Sequence, residues 1–345
     1  MHKDYNFYIQ DFDSVNEKDY RKRITNSHIF HSLDWMQVIK ESLGIKYKIA
    51  TLKKSGKIVA SISFGGYHNL IKGPCALPLQ FTSYYGSIIS DNDFIRKQML
   101  EQFFYYCKVN KLYTQIPEIN LINGHQSFSG YSIYKTNINM KLPVETQIIE
   151  RANKRMRTDI KNAINSDLVC KTGGIELLDK FYLLYLQNMK ELGTPPLPKI
   201  FFKKIIKFFP NLAKIILVQH HNRVCSGMFV LKVSEKELLA LAISTPRLYK
   251  TGRSTHLIYL QAAKEAQKLG CSVMNFGRSI DGGGPALFKQ RYGLEVIPLL
   301  MYSPYKNWTV TNPENSILKY IVAVWKKMPI PITKIGGLIL AKHVI

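Results

Sequence analysis

Carboxylates are scarce in this sequence. Its 345 residues carry 24 Asp plus Glu against 48 Lys plus Arg, a formal charge of +24 at pH 7. So large an excess suits a polyanionic partner: RNA, an anionic membrane face or a phosphorylated substrate. A biased codon supply would explain abundant lysine but not the shortage of acids. Cysteine is sparse as well. Cys75, Cys107, Cys170, Cys225 and Cys271 show no CxxC and no Cys/His ligand spacing, which argues against a disulfide framework or a zinc site and fits a reducing compartment. His220 and His221 adjoin at an expected strand end, where the neighbouring sequence offers too few further ligands for a metal. No apolar run is long enough to span a bilayer, and residues 1–10 hold no core of signal-peptide length. The expected location is the cytoplasm, with a peripheral place at the inner face of the membrane as an extension. Sustained heptads are also missing, so no coiled-coil arm is expected.

What is present is 46% hydrophobic content over a length that favours two domains. In the first half, 5–10 reads as a strand and 32–43 as a helix with Leu33, Met36, Ile39 and Leu43 on one face. Residues 47–53 and 58–64 read as a hairpin around Lys54-Ser55-Gly56-Lys57. A glycine- and proline-bearing stretch leads to 83–89, then a helix at 91–109 and strands at 112–117 and 131–142. Residues 145–166 read as a single basic helix joining the halves. The second half opens with a helix at 175–192, whose Leu178, Phe181, Tyr182, Tyr185 and Met189 recur at helical spacing. A basic helix at 199–209 follows, then a hairpin of 214–219 and 224–233, a strand at 237–244, a helix at 254–269 stopped by Gly270, and a strand at 271–276. The tail, 315–345, is apolar and basic and broken by Pro329 and Pro331. It is expected to pack on the second half; a second reading has it touch an anionic membrane face.

The candidate site lies where Met274-Asn275-Phe276-Gly277-Arg278-Ser279 runs into the glycine-rich turn at 281–285 and then Phe288 and Lys289. A cation at the carboxyl end of a strand, beside a glycine loop and a second cation, suits an anionic or carbonyl-bearing ligand. The string resembles the "FDFGRS…G…FK..WG" signature of the FemAB family, a branch of the GNAT-like acyltransferases. Three further stretches carry the resemblance. Asn153 to Lys161 is similar to the family's basic helix, with Arg157 and Lys161 four apart on one face. Leu192-Gly193-Thr194-Pro195-Pro196-Leu197-Pro198 is similar to a turn of FemAB-like proteins associated with exosortase/PEP-CTERM systems. Tyr84-Tyr85-Gly86 resembles the "yGG" turn of the family's first module, with Ser87 in place of the second glycine. The chain departs from the signature at Asn275, where Asp is usual, and at Tyr292, where Trp is usual. Asn275 removes a carboxylate suited to general-base work, so no base is named.

The order helix, helix, three strands, loop, helix, strand, helix, strand is that of a GNAT module, and its appearance twice implies an α+β fold of tandem GNAT-like modules, mixed central sheets flanked by helices, with a cleft between the modules. The expected boundaries are 1–143 and 144–303, with 304–345 as a helical tail. In such a module the loop before the long helix holds phosphates on backbone amides. Here that loop, 247–254, has the cations Arg247, Lys250 and Arg253, the single glycine Gly252, and Ser254 or Thr255 as the expected helix cap. The coenzyme A loop pattern Q/R-x-x-G-x-G/A is absent from it.

The implied activity is amide-bond formation, with an aminoacyl ester on tRNA attacked by an amine of a peptidoglycan or other cell-envelope precursor. Arg278 and Lys289 are the catalytic candidates, for an oxyanion or a carboxylate. Tyr85, Gly86, Arg157, Lys161, Gly193, Thr194, Arg247, Gly252, Ser279 and Phe288 are the substrate-binding candidates, and Lys203, Lys204 and Lys207 suit an RNA donor. No cofactor is fixed: the donor is aminoacyl-tRNA or acyl-coenzyme A, the latter serving N-acylation of a nucleotide sugar or amino acid for surface polysaccharide. The acceptor is phosphorylated or lipid-linked. A non-catalytic protein that binds RNA or a membrane is the third reading.

Overall fold

The computed structural model describes residues 5–24, 27–70, 72–78, 87–118, 132–143, 148–249, 253–280, 282–305 and 316–343. The turn bearing Tyr85 and Gly86, and Gly252 in the basic loop, lie outside these residues. In chain order the elements are β1 (Tyr5–Asp11), α1 (Glu17–Ile24), α2 (Leu33–Leu43), β2 (Lys46–Lys54), β3 (Lys57–Asn69), β4 (Gly73–Pro78), β5 (Ile88–Ser90), α3 (Asp93–Val109), β6 (Ile116–Glu118) and β7 (Ser132–Pro143). There follow α4 (Ile148–Arg151), α5 (Lys154–Ile164), β8 (Leu168–Gly173), α6 (Leu178–Leu192), α7 (Lys199–Phe208), β9 (Ala213–His220), β10 (Arg223–Lys232) and β11 (Glu237–Ser244). The chain ends with α8 (Ser254–Lys268), β12 (Val273–Ser279), α9 (Gly284–Gln290), β13 (Glu295–Ser303), α10 (Ser316–Lys327) and α11 (Ile330–Leu340). The chain forms two compact units: Met1–Asn137 with Pro298–Val310 and Ile345, and Ile138–Ile297 with Thr311–Val344.

In the first unit β1, β2, β3 and β4 pair antiparallel in that order, and β5 also pairs with β3. Residues of β13 return to this unit, where Leu300 faces Glu118 and Tyr302 faces Ile116 on β6. Helix α3 starts at Asn92, whose side chain accepts the Ile95 N–H, and buries Met99, Leu100, Phe103 and Cys107 against the sheet. Phe64 and Phe103 meet edge to face at 5.0 Å in the middle of that core.

The second unit is a mixed sheet in the order β7, β12, β11, β10, β9, β8, parallel only between β11 and β12. Alternation along β10 sorts its two faces. Gly227 lies against Phe181 and Leu184 of α6, whereas Met228 and Val230 join Ile258, Ala262 and Ala266 of α8. Gly227 leaves room for α6, where Phe181, Tyr185, Phe202 and Phe229 form an aromatic cluster with ring centroids 5.2–6.0 Å apart. Mixed sheets flanked by helices are the α+β class the sequence implied.

Several expected bounds shift. The joining helix is broken in two, because Asn153 turns its side chain to accept the Met156 N–H and so caps α5 afresh. The first turn of the expected helix at 175–192 is a 3-10 turn, and the strand expected at 112–117 is β6 at its far end. Strand β8 was not foreseen. None of its residues is buried, and Val169 is exposed at 55%, as at a sheet edge.

Candidate active site

The site is built where two parallel strands part. Strands β11 and β12 pair through Glu237–Val273, Leu238–Met274 and Leu239–Asn275, and no further. Beyond that point β11 continues to Ser244 and β12 to Ser279. On its other side β12 pairs with β7 at Asn275–Lys141, skips two residues, and resumes at Arg278–Asn139. Phe276 and Gly277 form this bulge, and Gly277 sits at φ +73°, a conformation that favours a residue without Cβ.

Two buried side chains hold the bulge. Asn275 is fully buried; its Nδ2 donates to Glu237 Oε1 at 2.7 Å and its Oδ1 accepts the Gly277 N–H at 2.8 Å. An amide supplies both a donor and an acceptor here, which an ionised Asp beside Glu237 could not. From α9, Lys289 reaches the peptide the bulge leaves open: its Nζ donates to Phe276 O at 2.6 Å and to Ser279 Oγ at 3.1 Å. Lys289 is only 7% exposed, and burial pushes its ammonium down to about 8.

Arg278 is different. It stays open to solvent and has no hydrogen-bond or ion-pair partner among the described residues. Protein crowds its remaining sides, and the desolvation lowers the guanidinium from its ordinary pKa without neutralising it. Neighbours on a strand face opposite ways. Lys289 bonds Ser279, so the ammonium and the Arg278 side chain leave β12 on opposite faces. The two cations paired in the sequence reading are therefore a buried clamp and an open charge.

The other candidates fall into three groups. Arg157 and Lys161 are both exposed on one face of α5, as their spacing required. Gly193 and Thr194 end α6: Gly193 takes φ +78°, and the Gly193 and Thr194 amides donate to Lys190 O and Met189 O. A Cβ at Gly193 would lie 2.5 Å from Val322 of α10, so this turn is roofed by the tail while Thr194 stays exposed. Arg247 is exposed, with its backbone N–H held by Glu191 Oε2 at 2.8 Å.

Helix α8 begins without the expected side-chain cap. Ser254 instead joins a buried hydroxyl cluster, with Ser226 Oγ 3.0 Å from Ser254 Oγ and 2.7 Å from Thr245 Oγ1. Among the described residues no side chain accepts from the first N–H groups of α8, a setting that favours an anion. Nearby in sequence, Ser244 at the end of β11 is fully buried and its Oγ has no hydrogen-bond partner among the described residues.

Three features were missed from sequence. Half-buried His256 places Nδ1 2.6 Å from the hydroxyl of fully buried Tyr292. Desolvation lowers the imidazole pKa, opposed by the Asp159 charge, and burial raises that of the phenol. Phe288, half-buried, packs beside both at 5.8 and 5.6 Å. Tyr292 thus keeps an aromatic at the Trp position and brings a hydroxyl that can both donate and accept. In the first unit, Glu118 is buried beside Arg96 at 3.3 Å; burial raises its carboxyl to about 7 against the pull of that guanidinium. Asp167 adds a third group able to ligate a metal to the exposed His220–His221 pair, with Oδ2 2.6 Å from His220 Nε2. None of these is visible in spacing, since each pairs residues far apart in the chain.

No family model and no curated protein sequence matches the chain. Solved structures do. The chain is similar to FemX over 87% of its own length and 98% of that chain, with a TM-score of 0.65 at 11% identity. A C-terminal domain of a putative lysylphosphatidylglycerol synthetase from Agrobacterium fabrum is matched over 89% and 95% of the two chains, TM-score 0.57, 9% identity. A tandem GNAT protein from the clavulanic acid biosynthesis pathway is matched over 88% and 100%, TM-score 0.50, 8% identity. The fold is the FemAB-like, tandem GNAT arrangement implied by the signature string.

Proposed function

We propose that the protein is an acyltransferase that forms an amide bond, passing an aminoacyl group from tRNA to an amine of a peptidoglycan or other cell-envelope precursor. The observation that carries this reading is Arg278. It is an exposed residue whose guanidinium, crowded by protein, has no partner among the described residues, at the parted end of two parallel strands. An unpaired cation on a braced backbone suits charge that develops during reaction better than charge already present. As the amine adds to the ester carbonyl, the carbonyl oxygen takes up negative charge, and Arg278 stabilises it. The carbon–oxygen bond to the ribose then breaks, its hydroxyl leaves with a proton, and the amine loses one.

Lys289 acts as a positioning residue: its hydrogen bonds to Phe276 O and Ser279 Oγ fix the bulge from which Arg278 projects. The exposed cations Arg157, Lys161 and Arg247 are suited to phosphates. On α7, Lys203, Lys204 and Lys207 line an open groove of about 470 Å³ together with Ile175, Ile200 and Ile206. This groove suits a nucleic-acid backbone. FemX and a lysylphosphatidylglycerol synthetase domain share the fold, which supports an aminoacyl donor.

A second reading rests on one feature, the uncapped start of α8 behind a loop of cations. It suits the phosphates of an acyl-coenzyme A, with a nucleotide sugar or amino acid as acceptor. The donors are separated by supplying tRNA charged with a labelled amino acid together with lipid-linked or nucleotide-linked muropeptide. Label in the muropeptide is the expected result. A thermal shift with coenzyme A and none with tRNA, and no label transferred, would replace the first reading with the second.

A further inference from the structure

Helix α11 is turned inside out. Its packed side is made of small residues: Thr333 and Gly337 are buried, and Gly336 lies against Trp325. A Cβ at Gly337 would fall 2.5 Å from Pro196 O, and one at Gly336 2.8 Å from Trp325 Cη2. The helix sits so close to Trp325 of α10 and to the proline turn after α6 that its rotation is fixed. Its large aliphatic residues are thereby forced outward. Ile332, Ile335, Leu338 and Ile339 are 54%, 61%, 56% and 59% exposed. At 3.6 residues per turn they share roughly a third of the circumference, opposite Thr333 and Gly337. On α10, Tyr320 and Ile321 are exposed as well, at 72% and 52%. A helix whose only outer neighbour is water carries the reverse pattern.

Charge identifies what this arc meets. Residues 316–345 include five lysines and no Asp or Glu. Lys326, Lys327 and Lys334 are exposed, and no helix among the described residues is long and apolar enough to cross a membrane. We propose that the α10–α11 tail docks flat on an anionic lipid bilayer, its aliphatic arc entering the boundary between headgroups and acyl chains and its lysines meeting lipid phosphates. A second copy of this chain is the poorer occupant, because a two-fold contact sets the same acid-free, lysine-bearing surface against itself. The inference goes beyond the transfer reaction and holds for either donor.

The test is flotation of the full chain with vesicles of phosphatidylcholine containing about 30% phosphatidylglycerol, against phosphatidylcholine alone. The expected result is association with the anionic vesicles, weakened by salt and little seen with the neutral ones. Ile335→Glu with Leu338→Glu should lower the partition coefficient at least about tenfold, since both side chains are exposed and the fold does not need them. Lys326→Gln with Lys334→Gln should flatten the salt dependence. The proposal is overturned by wild-type protein that ignores anionic vesicles, or by a double-Glu variant that floats equally well. A wild-type dimer dissolved by the same double-Glu substitution would overturn it too, by making a second copy the occupant. The readout is vesicle binding and not transfer, so its failure leaves the proposed reaction untouched.

Discussion

At the scale of single residues, the signature string marks a stretch of chain but not the direction each side chain takes. Arg278 and Lys289 look alike in sequence, two cations around a glycine turn. The fold separates them, because Lys289 is spent on a bulge that exists only once β7 pairs with β12. Asn275 reads as a lost carboxylate; in the structure it is the amide that joins Glu237 to the Gly277 N–H. Burial of two groups has a consequence in pH. Lys289 is held at about 8 from an ordinary 10.5, so the unfolded chain binds the extra proton between these values and stability rises with pH across that window. Lys289→Met removes this rise. The stability gap between wild type and variant should therefore widen on the order of 3 kcal/mol between about pH 8 and 10.5 in denaturant titrations. A constant gap would show that the ammonium is not desolvated. Glu118, raised to about 7 from 4.5, acts with the opposite sign, and its contribution fades as pH rises from 4.5 to 7. Glu118→Gln should abolish that decline, read by the same titration.

Among elements, periodicity located most helices and the β2–β3 and β9–β10 hairpins, because each buries one stripe or one face. It failed where a side chain redirects the backbone. Asn153 splits what reads as one basic helix, and its capping bond is a local choice that helical spacing does not encode. Edge strand β8 has too little buried surface to announce itself. The turn after α6 was legible as a rigid corner, yet one reason it is glycine lies in α10, more than a hundred residues away in the chain. Gly193 combines a left-handed backbone with close contact to Val322. Gly193→Ala is expected to destabilise the second unit by about 1–3 kcal/mol, read from the denaturant midpoint. A loss of a few tenths only would mean that α10 moves aside at little cost.

For the whole molecule, composition alone pointed to a polyanion, and the fold leaves cations outward on α5 and α7. If the donor is RNA, replacing Lys203, Lys204 and Lys207 with Ala should weaken tRNA binding. The slope of log affinity against log salt should also fall by roughly 0.7–0.9 for each phosphate that is no longer neutralised. An unchanged slope would remove α7 as the docking face. The tandem GNAT fold was legible because element order survives where identity has fallen to about a tenth of residues, as in the likeness to FemX. Substrate identity is not legible at that distance, since it depends on a few side chains and the fold does not fix them.

In the proposed reaction Arg278 stabilises negative charge formed at the parted strands during acyl transfer. The most direct test of this role is single-turnover transfer of a labelled aminoacyl group by wild type, Arg278→Ala and Arg278→Lys, with donor binding and melting temperature measured alongside. The expected result is a loss of about a hundred- to a thousandfold in the transfer rate for Ala and a partial loss for Lys. Donor affinity and melting temperature should stay near wild type. Transfer by the Ala variant at the wild-type rate, or a fall in rate matched by unfolding, would contradict this role.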